Sequence, residues 1–156
     1  MAEVGRTDAA SRLVAARPGQ VFAALVDPAA LVVWLPPEGM TGRFEWYDAR
    51  TGGSYRLVLT YTDPASGSGK ATADSDVVDA RFVEIVPDER VVHAVDFVSD
   101  DPAFSGTMTM TWEVSPAPDG SLVELRADDV SVGISAEDHV AGLTSSLANL
   151  ARFVEG

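Results

Sequence analysis

The sequence predicts an α+β domain of one strand, two short helices, six further strands and one long closing helix. Three observations carry that expectation. Residues 135–155 form one amphipathic helix, because Val140, Leu143, Leu147, Leu150 and Val154 recur at steps of three and four. Between Phe44 and Val132 the apolar period is two, the spacing of half-buried strands. Near the N-terminus, Pro18 and the pair Asp27-Pro28 are helix-start signals. A helix with one apolar face needs a broad surface to cover, and the strands supply it.

The first strand covers residues 8–16 and ends in Leu13-Val14-Ala15-Ala16. Pro18 suits the first turn of a helix, where a missing N–H costs nothing, and Val21, Phe22, Leu25 and Val26 give that helix an apolar face. Asp27 is placed to cap a second helix that starts at Pro28 and runs to about Val33. Trp34-Leu35-Pro36-Pro37 breaks it and opens a loop through Gly39 and Gly42. Phe44 and Trp46 fall on one face of the next strand, with Glu45 and Tyr47 on the other. After the turn Thr51-Gly52-Gly53, Tyr55, Leu57, Leu59 and Tyr61 alternate with Ser54, Arg56, Val58 and Thr60. Asp63-Pro64 and Ser66-Gly67-Ser68-Gly69-Lys70 form an exposed turn. Strands at 74–86 and 90–98 flank Pro87-Asp88, and Asp100-Asp101-Pro102 breaks the pattern again. Met108, Met110 and Trp112 then face one way; Thr107, Thr109, Thr111 and Glu113 face the other. Residues 116–120 are a hairpin loop with Asp119-Gly120 at its end, and the last strand covers 122–132. Ser135 caps the closing helix, and Glu137 and Asp138 suit the positive end of its dipole.

Composition excludes several functions. At 156 residues the chain has the length of one ordinary domain, so 1–156 is expected to form a single unit. The absence of cysteine removes disulfides, thiol catalysis and thiolate metal sites. A formal charge of -13 repels nucleic acid and anionic membrane, and no basic patch offsets it. Lys70 is the only lysine and lies in an exposed Gly/Ser run, whereas a Schiff-base lysine must be desolvated. Residues 1–12 lack the apolar run of a secretory signal, and no stretch approaches the roughly 20 apolar residues of a membrane span. A cytoplasmic protein without membrane insertion is expected, as a monomer or homodimer. No cofactor is expected, and the two histidines lack a third ligand at metal-binding spacing.

Four stretches are familiar. Arg17-Pro18-Gly19-Gln20-Val21-Phe22-Ala23-Ala24-Leu25-Val26-Asp27-Pro28, followed by Trp34, resembles the opening motif of the START-like (SRPBCC) superfamily of polyketide cyclases, dehydrases and lipid-transport proteins. Asp48-Ala49-Arg50-Thr51-Gly52-Gly53-Ser54-Tyr55-Arg56 resembles a motif of one branch, the activator of heat-shock-protein-90 ATPase homologues. Phe82-Val83-Glu84-Ile85-Val86-Pro87-Asp88-Glu89-Arg90-Val91 is similar to a third, and Asp138-His139 with Gly142, Ser146, Leu147 and Leu150 to that branch's helix. Together, in order, they span nearly the whole chain. The resemblance implies a helix-grip fold, in which a strongly bent antiparallel sheet of about seven strands wraps around the C-terminal helix. It implies less about function, because the superfamily includes ligand carriers, cyclases, dehydratase-like enzymes, hormone receptors and chaperone activators.

In that fold the concave sheet face looks at the long helix. The candidate ligand-binding residues are therefore Phe44, Trp46, Tyr55, Leu57, Leu59, His93, Val95, Phe97, Met108, Met110 and Trp112 from strands, and Trp34, His139 and Leu143 from loop and helix. A mainly apolar, aromatic lining with few polar groups suits a small-molecule site, and equally an ordinary core. The methionines beside tryptophans favour an adaptable pocket, because Met is flexible and polarisable. His93 and His139 are the only histidines, and either could act as acid or base or be bonded structurally. Tyr55 and Tyr61 could donate to a carbonyl.

The first reading is non-catalytic binding of a small hydrophobic or aromatic molecule between sheet and closing helix. The second is a polyketide cyclase/dehydratase-like enzyme using a pocket histidine, with Tyr55 as oxyanion donor. The third is an interaction module like the chaperone-ATPase activators, meeting a basic partner through the acidic exterior.

Overall fold

The helix-start signals act as their chemistry implies. In the computed structural model, which describes residues 6–36, 39–62, 75–97, 106–130 and 135–155, Pro18 opens α1 (Pro18–Val26) and Asp27 caps α2 (Pro28–Trp34). The Asp27 carboxylate accepts from the Ala29 N–H at 3.0 Å, satisfying an end that would otherwise lack a partner. The long helix α3 (Ala136–Glu155) starts in the same way, with Ser135 Oγ accepting from the Asp138 N–H at 3.0 Å.

The strands are β1 (Arg6–Val14), β2 (Met40–Tyr47), β3 (Ser54–Tyr61), β4 (Ser75–Val86), β5 (Arg90–Phe97), β6 (Gly106–Ala117) and β7 (Gly120–Val130). They form one antiparallel sheet in the order β1-β7-β6-β5-β4-β3-β2. Every neighbouring pair except β1–β7 is consecutive in sequence, so hairpins build the sheet and β1 joins at the far edge. With two helices after the first strand and one at the end, this is the helix-grip fold. Some boundaries move. Met40 to Gly42 belong to β2 rather than to a loop, and the β6–β7 turn is Pro118-Asp119, with Gly120 already in β7. The Asp63-Pro64 turn, the run to Lys70, the Asp100-Asp101-Pro102 break, Val98 and Val132 lie outside the described residues, as do the side chains of Tyr61 and Phe97.

Register sets what faces the core. Across the concave face the pairings run Phe82–His93–Met110–Ala127–Asp8, and beside that row Ile85–Val91–Trp112–Leu125–Ala10. The helices cover this face with Val21, Leu25, Leu31, Trp34, Leu143, Leu147, Leu150, Ala151 and Val154, all buried. Four of the five expected α3 stripe positions are thus confirmed. The exception is Val140, which is 37% exposed. The helix lies chiefly along β1. No described helix is long and apolar enough to cross a membrane.

Two bulges interrupt the alternation, and the first overturns an expected facing. The β2–β3 register shifts between Phe44 and Trp46, so Glu45 is the extra residue and every later side chain of β2 changes face. Trp46 therefore points outward, not toward the core. It is 46% exposed, donates to Ser54 Oγ at 3.2 Å, and lies under the Arg56 guanidinium at 4.7 Å. Tyr47 takes the inward place. A second shift between Phe82 and Glu84 leaves Val83 as the extra residue, 51% exposed.

Candidate functional site

His93 is the centre of the candidate site. Its partners in register are Phe82 on β4 and Met110 on β6, so its imidazole rises from the concave face. The Phe82 ring lies parallel to it, centroids 6.2 Å apart. His93 Nδ1 and the Tyr55 hydroxyl are 3.0 Å apart. His93 Nε2 is buried and has no hydrogen-bond partner among the described residues. Burial pushes the imidazole pKa down from 6.5 to about 4, so the ring is neutral near pH 7.

Neutrality leaves two proton arrangements, and both strand at least one polar group. If Tyr55 donates to Nδ1, Nε2 carries a hydrogen with no acceptor. If Nδ1 donates to Tyr55, Nε2 is a lone pair with no donor and the Tyr55 O–H also lacks an acceptor among the described residues. A buried polar group in that condition costs about 1–3 kcal/mol. Among the described residues around the cavity none is charged. Burial also raises the pKa of Tyr55 and of Tyr47, keeping both hydroxyls neutral, and Tyr47 donates to the Val26 carbonyl at 2.7 Å.

A small cavity, about 20 Å³, lies against these groups. Phe44 and Tyr47 line it from β2, Tyr55 from β3, Phe82 from β4, and Val91, His93 and Trp112 from β5 and β6. Leu25 of α1 and Leu31, Trp34 and Leu35 of the α2 end close it. Trp34 is pinned by its indole N–H, which donates to the Ala24 carbonyl at 3.0 Å, and it meets Trp112 edge to face at 5.5 Å. That volume is enough for about one water molecule and far below the roughly 300 Å³ of an open ligand pocket.

The structure brings together Trp34, Phe44, Tyr55, His93 and Trp112 of the expected lining. Leu57, Val95 and Leu143 pack in the core without lining the cavity, and Leu59 is half-buried against it. Met108 sits apart in a smaller cluster with Ala127, Val130 and Met110. The expected roof also changes: α1 and the α2 end close the cavity, and α3 contributes no lining residue. Tyr47 and Phe82 join the site although simple alternation did not single them out. The bulge at Glu45 hid Tyr47, and the one at Val83 blurred the face of Phe82. The sequence trace of Leu25 was the apolar face of the first short helix, and Leu31 was not singled out.

His139 does not reach the cavity. Its Nδ1 lies 2.8 Å from Asp8 Oδ2, on the β1 edge of the concave face. Asp8 is only 5% exposed and also accepts from Arg6 Nε at 3.0 Å and Nη2 at 3.0 Å. The Arg6 hydrogen bonds, with His139 adding to them, hold the Asp8 carboxyl below its ordinary value of 3.8 against the opposing effect of burial. The two candidate histidines are therefore divided: His93 lines the cavity, and His139 ties α3 to β1. Asp8→Asn is expected to cost about 2 kcal/mol near neutral pH, less than a fully buried pair because Arg6 is 35% exposed. A depressed carboxylate stabilises the fold above its unfolded pKa and loses that contribution as pH falls through the folded value. Urea unfolding should thus show the two proteins converging below the ordinary carboxylate range; a constant gap would contradict the pairing.

The outer sheet face is built differently. Arg56 bonds Asp79 through Nε at 2.6 Å and Nη2 at 3.1 Å, and lies near Glu45 at 3.6 Å. Arg90 bridges Glu84 and Glu113, and Arg126 bridges Glu124 and Asp128. Acids on this face alternate with arginines, so it is a solvated ladder of pairs.

Comparison with known proteins follows the same architecture. A family profile described as Activator of Hsp90 ATPase homolog 1-like protein matches residues 15–155. A solved protein from Chromobacterium violaceum is 31% identical, with a TM-score of 0.82 over 96% of this chain and 97% of that one. The AHSA1 protein from Silicibacter pomeroyi is 22% identical, with a TM-score of 0.77 over 96% and 98%. An AHSA1-like protein from Aeromonas hydrophila is 15% identical, with a TM-score of 0.76 over 96% and 92%. At those lower identities the last two speak to fold alone. No curated protein matches the sequence significantly.

Proposed function

The chain belongs to the family of activator of Hsp90 ATPase homolog 1-like proteins, and from that premise we propose that it binds a small, uncharged aromatic molecule at His93. One observation carries the reading: a buried imidazole nitrogen without a partner among the described residues, on a histidine that lines a cavity walled by aromatic side chains. A ligand hydroxyl or carbonyl at Nε2 would satisfy that atom, and the rings of Trp34, Phe44, Tyr55, Phe82 and Trp112 would enclose its apolar body. Among the described residues no charged side chain lines the cavity, so an ionic ligand would be desolvated without compensation.

The same electrostatics favour binding over catalysis. A general base works best with a pKa near the working pH, and His93 at about 4 is a weak one. Nor does His139 supply a second acid or base in the cavity, since it is held by Asp8. Because the cavity is only about 20 Å³, admission of a ligand requires Trp34 and Leu35 to move away from β5 and β6.

The test uses the ring nitrogens of His93 as reporters. Titration with 2-naphthol, followed by long-range nitrogen NMR, is expected to shift Nε2 most, and His93→Phe is expected to abolish saturable binding. Mass spectrometry of small molecules released on denaturing the purified protein supplies the native ligand. An unmoved His93 ring, together with no released compound, would sink the reading.

A further inference from the structure

We propose that the groove between α2 and α3 is a second binding site, for a small amphiphile carrying one carboxylate. The groove is open to solvent and offers about 580 Å³, within the range of about 300–1,000 Å³ of small-ligand sites. Its apolar side is made by Val33, Trp34, Pro36 and Phe153, and its polar side by Asn149 and Arg152 with Ser145 beside them. Val33 is 67% exposed and Phe153 is 39% exposed, so both leave apolar surface open to the groove.

Charge selects the ligand. Arg43, Arg50, Arg56, Arg81, Arg90 and Arg126 each face a carboxylate within 4 Å, and Arg6 does so at Asp8. Among the described residues Arg152 makes no such pair. Its Nη2 donates to Asn149 Oδ1, a neutral amide that orients the guanidinium without cancelling its charge. A chain with a formal charge of -13 thus keeps a cation beside exposed apolar side chains. A guanidinium has the planar donor fork that fits a carboxylate, and the neighbouring surface fits a hydrocarbon or phenyl tail. Arg12 and Arg17 also lack an ion pair among the described residues, but neither lines this groove.

Trp34 belongs to both sites. One part of its surface lines the groove and another the His93 cavity, so it is a shared wall. The groove site nevertheless does not depend on the cavity admitting anything, because its anchor is Arg152.

The experiment compares 4-phenylbutyrate with 4-phenyl-1-butanol by NMR titration of the full chain. The acid is expected to shift resonances of residues 33–36 and 145–153 together with Arg152 Nε–H. It should bind at least about tenfold more tightly than the alcohol, the scale of one charge-assisted hydrogen bond. Arg152→Gln should remove that preference and leave alcohol binding unchanged, and Phe153→Ala should weaken both. His93→Phe should alter neither, which separates this site from the inner one. The proposal is overturned by absence of acid binding, by equal affinity for acid and alcohol, by an unaffected Arg152→Gln variant, or by shifts centred on the His93 ring.

Discussion

Acidification from neutrality to about pH 4 is expected to cost the protein up to about 3 kcal/mol through His93 alone. The imidazole titrates near 6.5 when exposed and near 4 in the folded protein. Between those values the unfolded chain takes up a proton that the folded chain refuses, so stability falls as pH falls. The contribution is complete above 6.5, declines through the interval and levels off below about 4. A depression of that size corresponds to roughly 3 kcal/mol. Other contributions to stability also change with pH, so the readout is the difference between wild type and His93→Phe. The variant loses the Tyr55 partner at every pH, which offsets its whole curve. Only the slope between the two values reports the buried imidazole. Parallel urea-stability profiles for the two proteins would mean that His93 is solvated, and the reading of Nε2 as a ligand anchor would fall with it. Asp8 acts in a separate window, because its pKa is lowered from 3.8.

Gly120→Ala is expected to destabilise the fold by at least about 3 kcal/mol, the range of steric and backbone defects. A Cβ at this position would lie 2.1 Å from the Val14 carbonyl oxygen and 2.9 Å from the Ala16 nitrogen. Both obstacles are backbone and cannot rotate away. The φ of +155° adds strain for an L side chain. The corner is shared by several elements: Ser121 Oγ donates to the Ala16 carbonyl at 2.6 Å, and the Ala15 N–H donates to Glu155 of α3 at 2.9 Å. Displacing the chain there loosens the β1–β7 edge and the end of α3 together. Gly142→Ala is the control, since its Cβ would meet nothing within 4 Å and it lies inside α3. That change should stabilise by up to about 1 kcal/mol, through helix propensity. Thermal melts of the two variants should move in opposite directions; equal shifts would contradict the packing at Gly120.

The shape of the site constrains how a ligand would be taken up. Trp34 is buried, pinned to Ala24 and set edge-on to Trp112, and it lines both the outer groove and the inner cavity. It follows Val33, whose side chain is open to solvent, and precedes Leu35, which lines the cavity. A small outward movement of this helix end would enlarge the cavity without disturbing the ladder pairs of the sheet.

The order and type of the elements are written in local sequence pattern. Period-two alternation at Met108, Met110 and Trp112, the Asp27-Pro28 start and the Leu143–Leu147–Leu150–Val154 stripe are local properties, and they survive because each element buries the face its own spacing creates. His93 and Tyr55 were legible as inward residues for the same reason. Tertiary structure alone decided the rest. Trp46 and Tyr47 exchange faces because Glu45 is one residue too many for the β3 ladder, and no local pattern marks which residue will be left over. Asp8 and His139 meet across 131 positions only because β1 pairs with β7 and α3 returns along it. The cavity shrank to about 20 Å³ because α1 and α2, rather than α3, press their apolar residues over His93. Spacing along a chain sets which way a side chain points within its element, whereas pairing between distant strands sets what it meets there.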